Sequence, residues 1–154
     1  MHLRLIAVGD RQPAWVDEAC RGYSGRLPTH WKFRIDTIPT VRRSKAGQSA
    51  ADAEVDNILC KLRPGESLVL LDERGKSLPS RDVAKKLTQW QNDGRDVAFV
   101  IGGPDGVNDA CRQRADFVWS LSPLTLPHGL ARVVFTEQLY RAWSLNAGHP
   151  YHRE

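Results

Sequence analysis

The chain has 154 residues and a mass of 17.3 kDa, the size of a single domain. Hydrophobic residues make up 41% and charged residues 26%, which excludes disorder as the main state. The longest uncharged stretch, Phe117 to Leu130, is interrupted by two prolines, which excludes a membrane span there, and the net charge of +4 permits a polyanionic partner without requiring one.

The apolar pattern switches between two periods along the chain. His2 to Val8 alternates like a strand, and the early charges at Asp10 and Arg11 argue against a secretory leader. Pro13 to Leu27 places Trp15, Val16, Ala19, Cys20 and Tyr23 at helical spacing, with Pro13 in the first turn. Lys32 to Ile38 reads as a half-exposed strand. Pro39 to Gln48 reads as a basic loop; Arg42, Arg43 and Lys45, with Lys32 and Arg34 before them, form either solvated surface or a phosphate-tracking patch. Ser49 to Leu62 is an amphipathic helix, and Ser67 to Asp72 is an apolar run suited to a strand buried on both faces. Glu73 to Ser77 reads as a turn, and Ser80 to Asn92 as a helix capped by Ser80. Asp96 to Ile101 is a second buried strand, Asn108 to Ala115 a short helix and Asp116 to Ser120 a further strand. A long helix is expected from His128 to Ala147. Strands alternating with helices predict an α/β domain around a mainly parallel sheet.

Several local patterns bear on chemistry. RGKS at Arg74 to Ser77 resembles the end of a phosphate-binding loop, but the required glycine is replaced by Leu70, so that reading fails. GGPDG at Gly102 to Gly106 follows a buried strand, where α/β proteins bind ligands; a plain tight turn accounts for it equally well. Ser120 to Leu130 is an apolar loop with two prolines, and such a loop must pack inside the protein or against a ligand or partner. The last helix is apolar on nearly all sides, which points to a homodimer through that helix, with a central core helix as the alternative. Glu137 and Arg141 are spaced to pair across one of its turns. His149 and His152 lack further ligands nearby, so no metal site is expected. Cys20, Cys60 and Cys111 are widely spaced, as in a reduced, cytoplasmic protein.

The segments LLDERGK, FVIGGPDGV, WSLSPLTLPHGLARVVFTEQLYRAW and GHPYHRE together resemble the ribosomal RNA large subunit methyltransferase H family. These are small SPOUT-class enzymes that methylate N3 of a pseudouridine in the helix 69 region of bacterial 23S rRNA. The resemblance runs from MHLRLIAVG to the last residue and is most specific in the C-terminal half; Asp105 stands where members often carry Glu. It implies an α/β domain with a C-terminal trefoil knot, S-adenosyl-L-methionine as cofactor, and the assembled ribosome as partner. It assigns cofactor contacts to Leu71, Gly102, Leu121, Ser122, Pro123, Leu124, Thr125 and Leu126, with Gly103 adjacent. For catalysis it leaves few groups: His128 to accept a proton, Arg153 to stabilise charge or grip a phosphate, and Tyr151 to stack on the base. A SPOUT enzyme acting on tRNA, and a non-catalytic ribosome-binding factor with this fold, are the alternatives.

Overall fold

The computed structural model describes residues 1–42 and 47–152. Arg43 and Lys45 of the expected basic loop therefore lie outside the described residues. Five strands, β1 (Leu3–Val8), β2 (Arg34–Ile38), β3 (Ser67–Ser77), β4 (Val97–Ile101) and β5 (Phe117–Ser120), form one sheet in the order β2-β1-β4-β3-β5. Every pairing is parallel, as expected.

Side-chain alternation divides each central strand between two cores. Leu3, Leu5, Ala7, Val97, Phe99 and Ile101 face one side. There they meet α3 (Ser80–Asp93) through Val83, Leu87 and Trp90, and α5 (His128–Ala147) through Phe135 and Leu139; α1 (Ala14–Ser24) packs on α5. Ile6, Val8, Leu68, Leu70, Ala98 and Val100 face the other side. There they meet α2 (Ala50–Lys61) through Val55 and Ile58, and α4 (Asp109–Arg114) through Cys111. Phe99 and Phe135, with ring centroids 4.7 Å apart, sit at the centre of the larger core. The result is a three-layer α/β domain.

Two helices, α2 and α4, begin where short polar residues satisfy their first N–H groups. Ser49 Oγ accepts the Asp52 N–H at 3.0 Å, and Asn108 Oδ1 accepts the Cys111 N–H at 3.0 Å. Ser80 is not a cap: Pro79 holds that position, and the Ser80 hydroxyl donates to Gln138 Oε1 at 2.8 Å, tying α3 to α5. Pro13 likewise stands just outside α1, which ends at Ser24 rather than reaching Leu27.

One expectation fails in an informative way. The residues Glu73 to Ser77 are not a simple turn, because β3 continues to Ser77. Trp119 on β5 opposes both Leu71 and Lys76, so residues 72–75 arch out of the ladder. A Cβ at Gly75 would lie 2.7 Å from the Val118 backbone. The glycine that hinted at a phosphate loop is there because β5 passes against it.

At the amino ends of β1 and β2, Arg4 is buried and fully engaged. Its Nε donates to Glu66 Oε1 at 2.7 Å and Nη2 to Glu66 Oε2 at 2.6 Å. Nη1 donates to Asp36 Oδ2 at 3.0 Å, and Nη2 also reaches the Lys61 carbonyl at 2.6 Å. Burial pushes the Glu66 carboxyl up, but the Arg4 hydrogen bonds, the Arg63 N–H and both charges outweigh it, leaving its pKa below the ordinary value. This contribution to stability is complete at neutral pH and is lost as pH falls through the lowered folded value. Arg4→Met, which strands the Glu66 carboxylate, should cost about 3–5 kcal/mol in urea unfolding at pH 7. Adding Glu66→Met should recover most of that loss; a single variant as stable as the parent would rule out this account of the pair.

Candidate active site

Ligands of open parallel sheets bind beyond the carboxyl ends of the strands. A cavity of about 440 Å³ lies there, a size suited to a small organic molecule. The end of β3 contributes Leu71, Asp72, Glu73 and Arg74. The turn after β4 contributes Gly102 to Val107, the segment after β5 contributes Leu121, Ser122, Leu124, Thr125 and Leu126, and α5 contributes His128 and Ala131.

The glycine-rich segment is both a tight turn and a ligand-facing wall. The Gly106 N–H donates to the Gly103 carbonyl at 2.9 Å, and Gly106 has a φ of 74°. A Cβ at Gly102 would lie 2.7 Å from Val107 Cγ1. The turn can close on itself only without that side chain.

The hydroxyls of the proline-rich loop hold its own backbone. Ser120 Oγ donates to the Ser122 carbonyl at 2.9 Å, and Ser122 Oγ accepts the Leu124 N–H at 3.0 Å. Thr125 Oγ1 donates to Glu73 Oε2 at 2.9 Å, joining the loop to the β3 arch. The loop does not bury itself within the chain: Leu124 is 71% exposed, and Pro123 is exposed and stands outside the cavity wall.

Charged groups that sequence reasoning did not single out also line the cavity. Asp72 Oδ2 accepts from Arg112 Nε at 3.1 Å, while Asp72 Oδ1 accepts the Arg74 N–H at 2.9 Å. The pair links the arch to α4. The position of Asp72, at the end of the apolar run Ser67 to Leu71 within β3, was the available signal.

His128 opens α5 at the cavity edge and is half-buried. Burial lowers its pKa first, and the Arg132 charge lowers it further, against a hydrogen bond from the ring to the Gly102 carbonyl. The ring is therefore held in its neutral form at physiological pH, with a nitrogen able to take a proton. Arg132, one turn later, is buried and donates through Nη2 to the carbonyls of Val8 and Gly9 at the carboxyl end of β1.

A family described as "Predicted SPOUT methyltransferase" matches residues 1–152. The chain belongs to the SPOUT methyltransferase family. It is 49% identical to the ribosomal RNA large subunit methyltransferase H of Thioalkalivibrio sulfidiphilus (strain HL-EbGR7), over 100% of both chains. It is 47% identical to the protein of that name from Methylibium petroleiphilum, and 45% identical to that from Hahella chejuensis, again over 100% of both chains.

Within this SPOUT chain, the structure brings His128 together with Leu71, Gly102, Gly103 and the loop, but not Tyr151. The tail turns back at Gly148, and the Tyr151 hydroxyl donates to Glu137 Oε1 at 2.8 Å. The Tyr151 ring lies 4.6 Å from that of Tyr140, and the Arg141 guanidinium sits 5.1 Å from its centroid. The expected Glu137–Arg141 pair is present at 2.6 Å. Burial and the bond to Glu137 push the Tyr151 phenol up, so it stays protonated at neutral pH. Glu137 lies nine residues beyond His128, roughly 13 Å along the helix, so the tail and cavity of one chain are separated. Arg153 lies outside the described residues. Among the described residues, no group of three or more His, Cys, Asp or Glu could hold a metal ion, and no helix is long and apolar enough to cross a membrane.

The electrostatics of His128 are directly measurable. Its ring proton signal, assigned through a His128→Gln variant, should titrate in NMR below the ordinary histidine value of about 6.5. Arg132→Gln should move that midpoint upward, because a neighbouring positive charge is removed; an unchanged midpoint would contradict the assigned cause.

Proposed function

We propose that the protein methylates large-subunit rRNA, using S-adenosyl-L-methionine to modify N3 of a pseudouridine in the helix 69 region of 23S rRNA on the assembled ribosome. The observation that carries this reading is the meeting of Leu71, Gly102 and the 121–126 loop, the segments assigned to the cofactor by resemblance, around one cavity. The full-length relatives bear names that agree with the rRNA substrate.

The residues present suit the cofactor. Gly102 and Gly103 offer backbone without side chains toward it, and Leu71, Leu121, Leu124 and Leu126 supply apolar surface. Ser122 and Thr125 fix the loop, and Pro123 stiffens it. When bound, the cofactor supplies a methyl group already activated on a sulfonium. The protein's task is then to hold N3 at near-attack distance and remove its proton. His128, kept neutral, accepts that proton. Arg153 stabilises charge developing on the ring or grips a neighbouring phosphate, and Tyr151 stacks on the base.

Because Tyr151 is remote from its own chain's cavity, the tail serves the cavity of a partner. A homodimer through α5 fits this requirement, and Trp15, Leu124 and Leu130 are large apolar residues left exposed. The trefoil knot belongs to the same reading and rests on the resemblance. The site of action is the cytoplasm, where ribosomes are.

Calorimetry with S-adenosyl-L-methionine, with ATP and NAD as controls, should show one site selective for the first. Radiolabelled methyl transfer should go to intact ribosomes or large subunits, and not to tRNA or protein-free rRNA. Arg153→Ala should abolish transfer yet leave cofactor affinity nearly intact. Equal labelling of free rRNA would remove the ribosome from the reading, and undiminished turnover by the variant would remove Arg153.

A further inference from the structure

Beneath the glycine-rich wall lies a carboxyl group that neither the fold nor the proposed chemistry uses. Glu54, on the first turns of α2, is 1% exposed. Its neighbours Val55 and Ile58 belong to the apolar core between α2 and the sheet. Its carboxylate accepts the Val41 N–H, while Oε2 has no hydrogen-bond partner among the described residues. No cation pairs with it among the described residues, and Asp105 faces it with a like charge. Burying such a group in this way is unfavourable, and a structural role alone is better filled by an apolar side chain.

What the carboxyl touches gives it a purpose. A Cβ at Gly103 would lie 2.7 Å from Glu54 Oε2, 2.9 Å from Oε1 and 3.1 Å from Cδ. The side chain is thus packed against the underside of the turn whose other side faces the cavity. A second tie from the same helix reaches the far end of that segment, where Asn108 Nδ2 donates to Asp52 Oδ1 at 2.8 Å. The segment rests on α2 near both ends, and Glu54 is the support under Gly103.

We infer that Glu54 is a positioning residue that sets the height of the Gly102–Gly106 wall against the cofactor. It acts through Gly103 and does not touch the reacting atoms. Removing the carboxyl lets the turn settle toward α2 and widens the cavity. A side chain on Gly103 does the opposite, driving the turn off its support. The inference rests on the reading of the cavity as the S-adenosyl-L-methionine site.

Four variants of the full-length protein test it: Glu54→Ala, Glu54→Gln, Gly103→Ala and the double variant Glu54→Ala/Gly103→Ala. S-adenosyl-L-methionine binding is measured by calorimetry, folding by thermal melting, and turnover on ribosomes at saturating cofactor. Glu54→Ala should weaken cofactor binding by about tenfold or more, with kcat within about twofold of the parent. Its melting temperature should change little, since Oε2, without a partner among the described residues, is removed together with the bond the carboxylate accepts from the Val41 N–H. Glu54→Gln, which keeps the shape, should restore binding. Gly103→Ala should also bind weakly, and the double variant should bind better than Gly103→Ala, because the methyl group then fills the space the carboxyl leaves. Parental affinity in Glu54→Ala, or a double variant no better than Gly103→Ala, overturns the role of Glu54 while leaving the cavity assignment standing. Loss of affinity that Glu54→Gln does not restore, or that tracks a lowered melting temperature, overturns it as well. A parent protein that does not bind S-adenosyl-L-methionine at all overturns both.

Discussion

The passage of β5 against the arch of β3 is the constraint on which the site depends. Trp119 opposes Leu71 before the arch and Lys76 after it, so residues 72–75 are displaced from the ladder while β5 runs past them. The chain emerging from β5 must then turn beside the arch, which brings the 121–126 loop alongside Glu73, where Thr125 binds it. The displaced residues form one wall of the cavity and the returning loop another. Gly75 permits the approach, since any side chain there would strike the backbone of Val118 and Trp119. A backbone contact of this kind cannot be relieved by a rotamer change, unlike a clash between side chains.

The two ends of the sheet are built on opposite principles. At the amino ends of the strands, Arg4 uses its nitrogens on Glu66, Asp36 and the Lys61 carbonyl, and Glu66 takes a further bond from the Arg63 N–H. Charge is buried there, but it is matched. At the carboxyl ends, Glu54 Oε2 and Arg132 Nε are buried without partners among the described residues, and His128 is held with a lowered pKa. Among the described residues, two of the three buried side-chain atoms without a partner lie at this end; the third, His152 Nδ1, belongs to the tail. This is the distribution expected when one end serves stability and the other serves binding.

The sequence was most legible where burial on both faces imposes an unbroken apolar run. Ser67–Leu71 and Val97–Ile101 could scarcely be anything but central strands, and α5 was bounded correctly because Pro127 and Gly148 punctuate it. The extension of β3 was not legible, since Glu-Arg-Gly-Lys has the composition of a turn and its strand character comes from pairing with a segment more than forty residues away. Ser80 shows the same limit: its hydroxyl suits a cap, but a partner on α5 takes it. Glu54 was hidden for a different reason. An acidic residue near the start of an amphipathic helix is ordinary, and only the position of Gly103 above it makes it unusual.

The position of the tail bears on how such a small chain can act on a large substrate. In one chain, Tyr151 is fixed against α5 by Glu137, Tyr140 and Arg141, with its hydroxyl bonded and its proton retained. It is not a loose end waiting to close over the adjacent cavity, and reaching that cavity would require breaking those contacts. In the proposed homodimer, a second copy docked along α5 would bring the tail to a cavity without breaking them. The helix that carries His128 at its start carries the tail's anchor, Glu137 to Arg141, near its middle, so in the proposed homodimer a single element would set the spacing between proton acceptor and substrate grip across two subunits. In that arrangement the last helix would act as the ruler of a shared site, with Leu130 the large apolar residue it leaves exposed for a partner.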